Sequence, residues 1–220
     1  MFFTQLQRFF KREIQASRSD IKRTDIRIPA SNILRLHHAR LLKSKIRING
    51  ANNTIESHGT ISTSRLYIEG QNNSLYIADG CRIRDSNISI IGTDCEIRIE
   101  KNTTTGEVML VCMGRNNFIH IGAECMIADK VDIWASDTHP IFDTEKRLLN
   151  PSRPINIGNH VWLGRYVKIL KGASIGDGAV IGMNSVVTKD VKPNSLNAGN
   201  PCRCLKENIT WARDHIYPYE

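Results

Sequence analysis

Residues 155–187 read INIGNHVWLGRYVKILKGASIGDGAVIGMNSVV and contain the most regular pattern in the chain. A large aliphatic residue returns there at every sixth position: Ile157, Leu163, Ile169, Ile175, Ile181 and Val187. Two positions before each stands a smaller or branched residue, such as Ala173 or Ser185. An amphipathic α-helix would repeat its apolar residues about every 3.6 positions, and a single strand would alternate every second residue. A strict period of six therefore indicates short strands joined by tight corners, with every sixth side chain pointing inward.

This period predicts an all-β fold, a parallel β-helix built from hexapeptide repeats. Asn159, Gly178 and Asn184 fall at the expected corners, where the backbone needs the positive φ that Gly and Asn tolerate. Looser repeats begin near residue 45, so we expect the solenoid to span residues 45–204. A Gly-x-Asn-Asn phrase marks further corners at residues 50–53, 70–73 and 114–117.

Composition agrees with one domain and a short appendage. The chain has 220 residues, of which 40% are hydrophobic and 6% aromatic, and a narrow solenoid interior takes aliphatic side chains better than rings. No run of 18 apolar residues is present, so no transmembrane helix is expected. The N-terminus lacks the apolar core and cleavage site of a signal peptide. We therefore expect a cytoplasmic protein.

The six cysteines favour a reducing compartment. Cys81, Cys95 and Cys125 each stand two positions before an inward isoleucine, so they are predicted to be small buried core residues. This placement argues against a disulfide framework. Cys202-Arg-Cys204 is too short and isolated for a zinc site, which usually needs four ligands at a recognisable spacing. The sequence therefore predicts no metal.

Basic charge is concentrated at the N-terminus. Residues 1–50 hold twelve Lys and Arg against three Asp and Glu, whereas the whole chain has a net charge of +8. Residues 1–20 are predicted to form an amphipathic helix with a phenylalanine-rich face, within a basic helical segment over residues 1–44. This helix can pack on the solenoid or another subunit, or it can contact the surface of the inner membrane. No nucleic-acid-binding motif is present, so nucleic acid is not an expected partner.

Residues 134–154, WASDTHPIFDTEKRLLNPSRP, interrupt the six-residue period. They contain no inward aliphatic column, and they predict a loop that protrudes from the solenoid wall. A loop of this length in a compact repeat is usually functional. Beyond the last repeat, residues 205–220 are predicted to form a short closing helix and tail.

Three phrases carry a resemblance to a known family: Asp137-Thr-His139-Pro, Asn159-His-Val-Trp162-Leu-Gly, and Val187-Thr-Lys189-Asp-Val followed by Gly199-Asn-Pro. In combination they resemble the hexapeptide-repeat acyltransferases, which use acetyl-CoA and fold as a left-handed parallel β-helix. The phrase Ser136-Asp-Thr-His is similar to members that O-acetylate bacterial capsule or lipopolysaccharide sugars. The resemblance implies an acetyl-CoA-dependent O-acetyltransferase of a bacterial cell-surface polysaccharide or its precursor. It also implies a homotrimer with active sites between subunits.

His139 is the expected catalytic base. Sugar hydroxyls are poor nucleophiles, and a neutral imidazole can take the hydroxyl proton as the oxygen attacks a thioester carbonyl. Asp137 can orient the imidazole ring or contact the acceptor, and it can equally be a turn residue. The resemblance places Trp162 near the thioester and the pantetheine arm. Its indole can help to stabilise the developing oxyanion, although packing between subunits is the alternative.

Coenzyme A carries phosphates that require cations and free backbone N–H groups. Arg165 and Met183 are bulkier than the small residues that are usual at their positions. Trp134 can stack on an acceptor sugar ring, and the resemblance places Asn116 and Asn117 near the acceptor. The contacts that the resemblance implies for coenzyme A are Trp162, Arg165, Met183, Thr188, Lys189, Arg203 and Lys206.

Three alternatives stay open at this point. An acetyltransferase can instead act on a soluble sugar, on the amine of a nucleotide sugar or on an antibiotic. A γ-type zinc carbonic anhydrase would need three converging ligands, for which His120, His139 and His160 are the candidates. A β-solenoid scaffold or binding module would not bind coenzyme A. The pair His37-His38 is interpreted as a surface or packing feature.

Overall fold

Three β-sheets form the walls of a solenoid in the computed structural model, which describes residues 14–214. The strands are numbered β1 to β26 in chain order, and each full turn passes through the first, second and third sheets in succession. The first sheet is parallel and contains β1 Ile14–Ser17, β4 Ile33–His37, β7 Thr54–Ser57, β10 Ser74–Ile77, β13 Glu96–Ile99, β16 Phe118–Ile121, β19 Ile155–Ile157 and β22 Ser174–Ile175.

The second sheet is parallel except for its last strand, β26, which pairs antiparallel to β25. It contains β2 Asp20–Lys22, β5 Arg40–Leu42, β8 Thr60–Ser62, β11 Arg82–Arg84, β14 Thr104–Thr105, β17 Met126–Ile127, β20 Trp162–Leu163, β23 Val180–Ile181, β25 Ser195–Ala198 and β26 Arg203–Glu207. The third sheet contains β3 Asp25–Arg27, β6 Lys45–Ala51, β9 Arg65–Gln71, β12 Asn87–Thr93, β15 Val108–Arg115, β18 Val131–Trp134, β21 Lys168–Leu170 and β24 Val186–Val187. The parallel β-solenoid predicted from the six-residue period is confirmed.

A continuous aliphatic column fills the interior. Leu163 and Ile169 are fully buried, and Ile157 is 3% exposed. Burial of one such side chain contributes roughly 1.5–3 kcal/mol relative to leaving it in water, so the stacked coils are stabilised chiefly by this column. Cys81, Cys95 and Cys125 are also buried, as predicted, with their sulfurs reduced.

Coil length differs between the two ends of the solenoid. Asn156 pairs with Ser174, which makes a coil of 18 residues there. Ser74 pairs with Thr54 and with Glu96, so the coils in the N-terminal half are 20 and 22 residues long. The third-sheet strands are longer in this half, with seven residues each in β6 and β9 against three in β21, and this obscures the six-residue period.

Buried asparagines close one corner of the N-terminal coils. The Asn53 Nδ2 donates to Asn32 Oδ1 at 2.9 Å, and the Asn73 Nδ2 donates to Asn53 Oδ1 at 2.9 Å. Each of these side chains is at most 1% exposed. Because a buried amide is costly unless its hydrogen bonds are made, this ladder fixes the stacking register of the coils.

Both predicted helices are wrong within the described residues. Residues 14–44 form strands β1 to β5 and belong to the solenoid, which therefore already includes Ile14 instead of beginning near residue 45. Leu34 and Leu36 are fully buried on alternate positions, which is the period of a strand. Residues 205–207 belong to β26, and residues 208–214 are not helical.

The remaining parts of the two helix predictions, residues 1–13 and 215–220, lie outside the described residues. The left-handed winding stays a prediction from the resemblance. Within residues 14–214, no helix has the length and apolar character needed to span a membrane.

Candidate active site

The interruption of the repeats is a structured loop. The loop leaves the wall at the C-terminal end of strand β18, in the third sheet, and the chain rejoins the wall at β19, in the first sheet. Its outer part is held by Asp143, whose Oδ1 accepts the backbone N–H groups of Glu145 and Arg147 at 2.9 Å each. Phe142 and Leu148 form an antiparallel bridge across it. The loop is therefore a defined hairpin-like projection, and it lies where the sequence predicts a protruding loop.

Asn150 joins the two ends of this loop. Its Oδ1 accepts the backbone N–H of Ile141 at 2.6 Å, while its Nδ2 donates to the backbone carbonyl of His139 at 3.0 Å and to Asp137 Oδ2 at 2.8 Å. One side chain thus holds the backbone on both sides of the candidate base. Sequence reasoning did not identify Asn150, because an Asn before a Pro in a loop is equally typical of an ordinary turn.

Lys171 anchors the loop to the solenoid wall. Its Nζ donates to Asp137 Oδ2 at 2.7 Å and to the backbone carbonyl of Asn150 at 2.9 Å. The Lys171 side chain is only 16% exposed, and its hydrogen bond is the main reason that the pKa of Asp137 lies below its usual value. The Asp137 carboxylate is therefore ionised near neutral pH. Its partners are Lys171 and Asn150, which favours an anchoring role over orientation of the His139 ring.

His139 is exposed, with a fixed backbone. Its N–H donates to the Asp137 carbonyl at 2.7 Å, and its own carbonyl accepts from Asn150. Thr138 before it adopts a left-handed backbone with φ of 64°, which is uncommon for a β-branched residue. Within residues 14–214 the imidazole makes no hydrogen bond, so both ring nitrogens are available to a ligand.

Trp162 lies on the outer face of the second sheet and is 38% exposed. The strand register places Val180, Leu196 and Lys206 beside it in successive strands on the same face. Trp162 and Lys206 are three strand spacings apart, or about 14 Å. This row joins an aromatic surface to a lysine at the C-terminal end of the stack.

The C-terminal segment, residues 208–214, folds back along the corner beside this row. Trp211 stacks on His160 with ring centroids 4.1 Å apart and an interplanar angle of 6°, and its ring centroid is 5.8 Å from that of Trp162. The Trp211 Nε1 donates to the His160 carbonyl at 2.9 Å. Arg213 continues the contact by donating to the Cys125 carbonyl at 2.6 Å. Trp211 thus becomes part of the wall next to Trp162, a role that sequence reasoning missed because the segment was predicted to be a helix.

The predicted coenzyme A contacts fall at two different corners. Arg165 and Met183 are exposed at the corner between the second and third sheets, one coil apart, where the Asn184 N–H donates to the Arg165 carbonyl at 2.9 Å. Thr188 and Lys189 are exposed where the chain leaves the third sheet, next to the corner from which the loop projects. A single chain therefore does not bring all of these residues together.

The last two predicted coenzyme A contacts, Arg203 and Lys206, are exposed cations near the C-terminal end of the described chain. Arg203 begins β26 and donates to the Cys202 carbonyl at 2.9 Å, while Lys206 lies on the same strand. Arg165 instead places its guanidinium over the Tyr166 ring at 5.3 Å. The chain thus offers solvent-accessible positive groups that suit phosphates.

The three predicted acceptor residues differ in their surroundings. Trp134 is half-buried on the outer face of β18, at the base of the loop. Asn116 is an exposed corner residue with φ of 51°. Asn117 is 3% exposed, and its Nδ2 donates to the carbonyls of Met113 and Ala135 at 2.9 Å each. Its amide is committed to the interior corner, which favours a structural role for Asn117, and the acceptor contact stays a prediction.

The three histidines considered as zinc ligands do not come together. The His120 Nε2 lies 2.6 Å from Glu96 Oε1 on the first sheet, and the ring of His120 stacks on Phe118. The His160 Nε2 lies 3.0 Å from the carbonyl of Trp211 at the next corner. His139 is on the projecting loop. No residue pair among these three forms a common ligand set in the described part of the chain.

Comparison with known proteins identifies the class. Residues 154–189 match the family described as "Bacterial transferase hexapeptide (six repeats)". The polysialic acid O-acetyltransferase of Neisseria meningitidis is 38% identical over 165 residues, which cover 64% of this chain and 75% of the relative. The chain therefore belongs to the hexapeptide-repeat acetyltransferases.

Two further proteins that this chain resembles are also polysialic acid O-acetyltransferases. The crystal structure of the polysialic acid O-acetyltransferase OatWY superposes with a TM-score of 0.75 and 31% identity, over 94% of this chain and 95% of that one. The polysialic acid O-acetyltransferase of Escherichia coli O1:K1 is 40% identical over 119 residues, or 54% of this chain. The match spans only 38% of the length of that E. coli relative.

Proposed function

We propose that this protein transfers the acetyl group of acetyl-CoA to a sugar hydroxyl of a bacterial cell-surface polysaccharide, with His139 as the general base. The named activity of the Neisseria and E. coli relatives supports a polymer of sialic acid as the acceptor. The observation that carries the proposal is that His139 combines a fixed backbone with an exposed side chain. Its backbone is held on both sides by Asp137 and Asn150, while its imidazole is open to a substrate.

The chemistry needs one base and one leaving group. His139 takes the proton of the sugar hydroxyl as the oxygen attacks the thioester carbonyl carbon. The tetrahedral intermediate then expels the thiolate as its C–S bond breaks, and the imidazolium returns the proton to the sulfur. The products are an O-acetyl ester and free coenzyme A, so no acyl-enzyme is required.

Donor binding is supported by the row on the second sheet. Trp162 offers an apolar surface for the pantetheine arm, with Trp211 beside it. Lys206 and Arg203 lie on the last strand of the same sheet, where they suit the phosphates of coenzyme A. Trp134 at the base of the loop suits a sugar ring.

We further propose that the active site forms between subunits of a homotrimer. The His139 loop leaves the corner between the third and first sheets, whereas Trp162 lies on the second sheet, so the solenoid separates them. The loop carries four large apolar side chains that are 49–59% exposed, which favours a protein neighbour over solvent. They are Ile141, Phe142, Leu148 and Leu149.

The experiment is an acetyl-transfer assay with acetyl-CoA, followed by thiol release, with polysialic acid and a panel of other glycans and amines as acceptors. Wild type should release thiol only with a hydroxyl acceptor. His139→Ala should lose roughly 10²-fold or more in kcat, while coenzyme A binding measured by calorimetry is retained. Equal activity of His139→Ala and wild type would refute the assignment of the base. Transfer to amines alone would replace the sugar hydroxyl with an amine acceptor.

A further inference from the structure

A second cluster of chemistry-bearing side chains lies far from the loop, on the outer face of the first sheet. His37 ends β4, and Glu56 and His58 lie on and directly after β7. The register pairs Leu36 with Ser57, so the next position places His37 opposite His58. The two imidazole rings stack with centroids 4.9 Å apart. One nitrogen or oxygen atom from each of the three residues lies within 4.8 Å of the other two.

These distances suit a metal ion. The His58 Nε2 is 3.0 Å from Glu56 Oε1, and ligands at about 2.0–2.1 Å from one zinc ion lie about 3 Å apart. Two imidazoles and one carboxylate are a common zinc ligand set, with a further position left for water. All three side chains are half-buried, so the cluster is partly shielded from solvent.

The surroundings orient the ligands. The Ser17 hydroxyl lies 3.2 Å from the Nδ1 of His37, which leaves the Nε2 of that ring for an ion. Arg35 Nη1 is 3.9 Å from Glu56 Oε2, whereas His58 pairs with Oε1 of the same carboxylate. The ring of Tyr76 lies against His58, with centroids 5.8 Å apart. The contact of Ser17 is a hydrogen bond, and hydrogen-bonded outer partners fix ring orientation in metal sites.

We propose that His37, Glu56 and His58 bind one divalent transition-metal ion, with Zn²⁺ as the chemical match. The ion links β4 to β7 and so ties together two neighbouring coils near the N-terminal end of the solenoid. The site is independent of the acetyl-transfer site. Its ligands stand on the first sheet, at least two coils before the loop. The metal ligands weighed from the sequence are the Cys202–Cys204 pair and the trio of His120, His139 and His160, and none of these belongs to this cluster.

The test uses the full-length protein, with any affinity tag removed, after treatment with EDTA and gel filtration. Titration with ZnSO₄ by calorimetry should show saturable binding of one ion per chain, and Zn²⁺ should raise the Tm. His37→Ala and Glu56→Gln should each bind Zn²⁺ at least about tenfold more weakly. Circular dichroism of each variant without metal shows that the fold is kept.

Two matched controls separate this site from ordinary surface binding. His120→Ala removes a histidine that pairs with a glutamate on the same sheet without a second histidine, and Cys204→Ser removes an exposed thiol. Both should bind Zn²⁺ like wild type. Absence of saturable binding overturns the proposal, and so does binding that persists in both His37→Ala and Glu56→Gln.

Discussion

The Nζ of Lys171 lies 2.7 Å from the Oδ2 of Asp137, although the two residues are 34 positions apart in the chain. Lys171 follows β21 in the coil after the loop, and Asp137 stands at the start of the loop. The same ammonium also reaches the Asn150 carbonyl near the end of the loop. The wall of the next coil therefore holds both ends of the segment that carries His139.

Lys171→Met should lower kcat/KM by about 10–100-fold, because a loosened loop no longer places the base against the acceptor. The change should lower the Tm only slightly, because a partly exposed ion pair contributes little to stability. The matched control is Lys168→Met, which removes a similar contact of 2.6 Å to Asp132 on the outer face of the third sheet. Kinetic constants and Tm should be measured for both, and equal activity of the two variants would contradict the anchoring role.

The Asp137 carboxyl should titrate below its usual range, because Lys171 favours the ionised form. A group whose pKa is lowered on folding stabilises the native contact above its ordinary pKa, and that contribution is lost as the pH falls through the lowered value. The contact is therefore intact at neutral pH and is released only in acid. Carboxyl NMR titration checks this. In Lys171→Met the pKa of Asp137 should rise, and an unchanged pKa would show that Lys171 is not the cause.

Mixing two inactive variants tests the site between subunits. His139→Ala and Trp162→Ala are expected to be inactive alone. After joint unfolding and refolding at equal amounts, about a quarter of the sites in a cyclic trimer would combine an intact His139 with an intact Trp162 from its neighbour. Activity near that fraction is expected, with light scattering used to count the subunits. If one chain supplies both residues, the mixture stays inactive.

Trp211→Ala should raise the KM for acetyl-CoA several-fold with a smaller effect on kcat, because Trp211 supports the indole of Trp162. A lost aromatic contact of this kind is worth about 0.5–1.5 kcal/mol. Trp211→Phe should restore part of the affinity. Leu205→Ala is the control, because Leu205 is 66% exposed on β26. An unchanged KM in Trp211→Ala would restrict Trp211 to a structural role.

Gly70→Ala should destabilise the solenoid by about 2 kcal/mol or more, since a Cβ at this position would overlap the carbonyl oxygen of Gly92 in the next coil. Its φ of +114° also disfavours any side chain. Gly199→Ala has a similar φ of +103°, but its Cβ would meet no atom closer than 3.4 Å. Thermal unfolding of both variants separates the clash from the backbone cost. A smaller loss in Gly70→Ala than in Gly199→Ala would contradict this packing.

The longer coils explain where the sequence prediction stopped. The third-sheet strands β6 and β9 hold seven residues each, whereas β21 holds three, so the aliphatic residues of the N-terminal half do not recur at a strict interval of six. Leu34 and Leu36 occupy alternate positions, as buried residues of a strand do. Strand β4 has only five residues, which is too short for this alternation to stand out in the sequence. The basic, phenylalanine-rich start of the chain favours a helix over residues 1–44, and strands β1 to β5 show that this prediction is wrong for residues 14–44.

The candidate site also contains residues that the sequence predicts and residues that it does not. His139 was found because it stands in a break of a regular pattern and within a family phrase. Lys171, Asn150 and Trp211 carry no such local signal, and nothing in the sequence around Asn117 indicates that its amide faces the interior. The local amino-acid sequence does not show whether the side chain of a corner residue points inward or outward.

The repeating coil, the inward column of Ile, Leu and Cys, and the position of the projecting loop can all be predicted from the amino-acid sequence alone. These features depend on the spacing of side chains along one strand and corner, which is local. The contacts of Lys171 with Asp137, of Trp211 with His160 and of His37 with His58 are visible only in the folded chain. Those contacts join residues from different coils, and their distances depend on coil length and stacking register, which no short stretch of sequence contains.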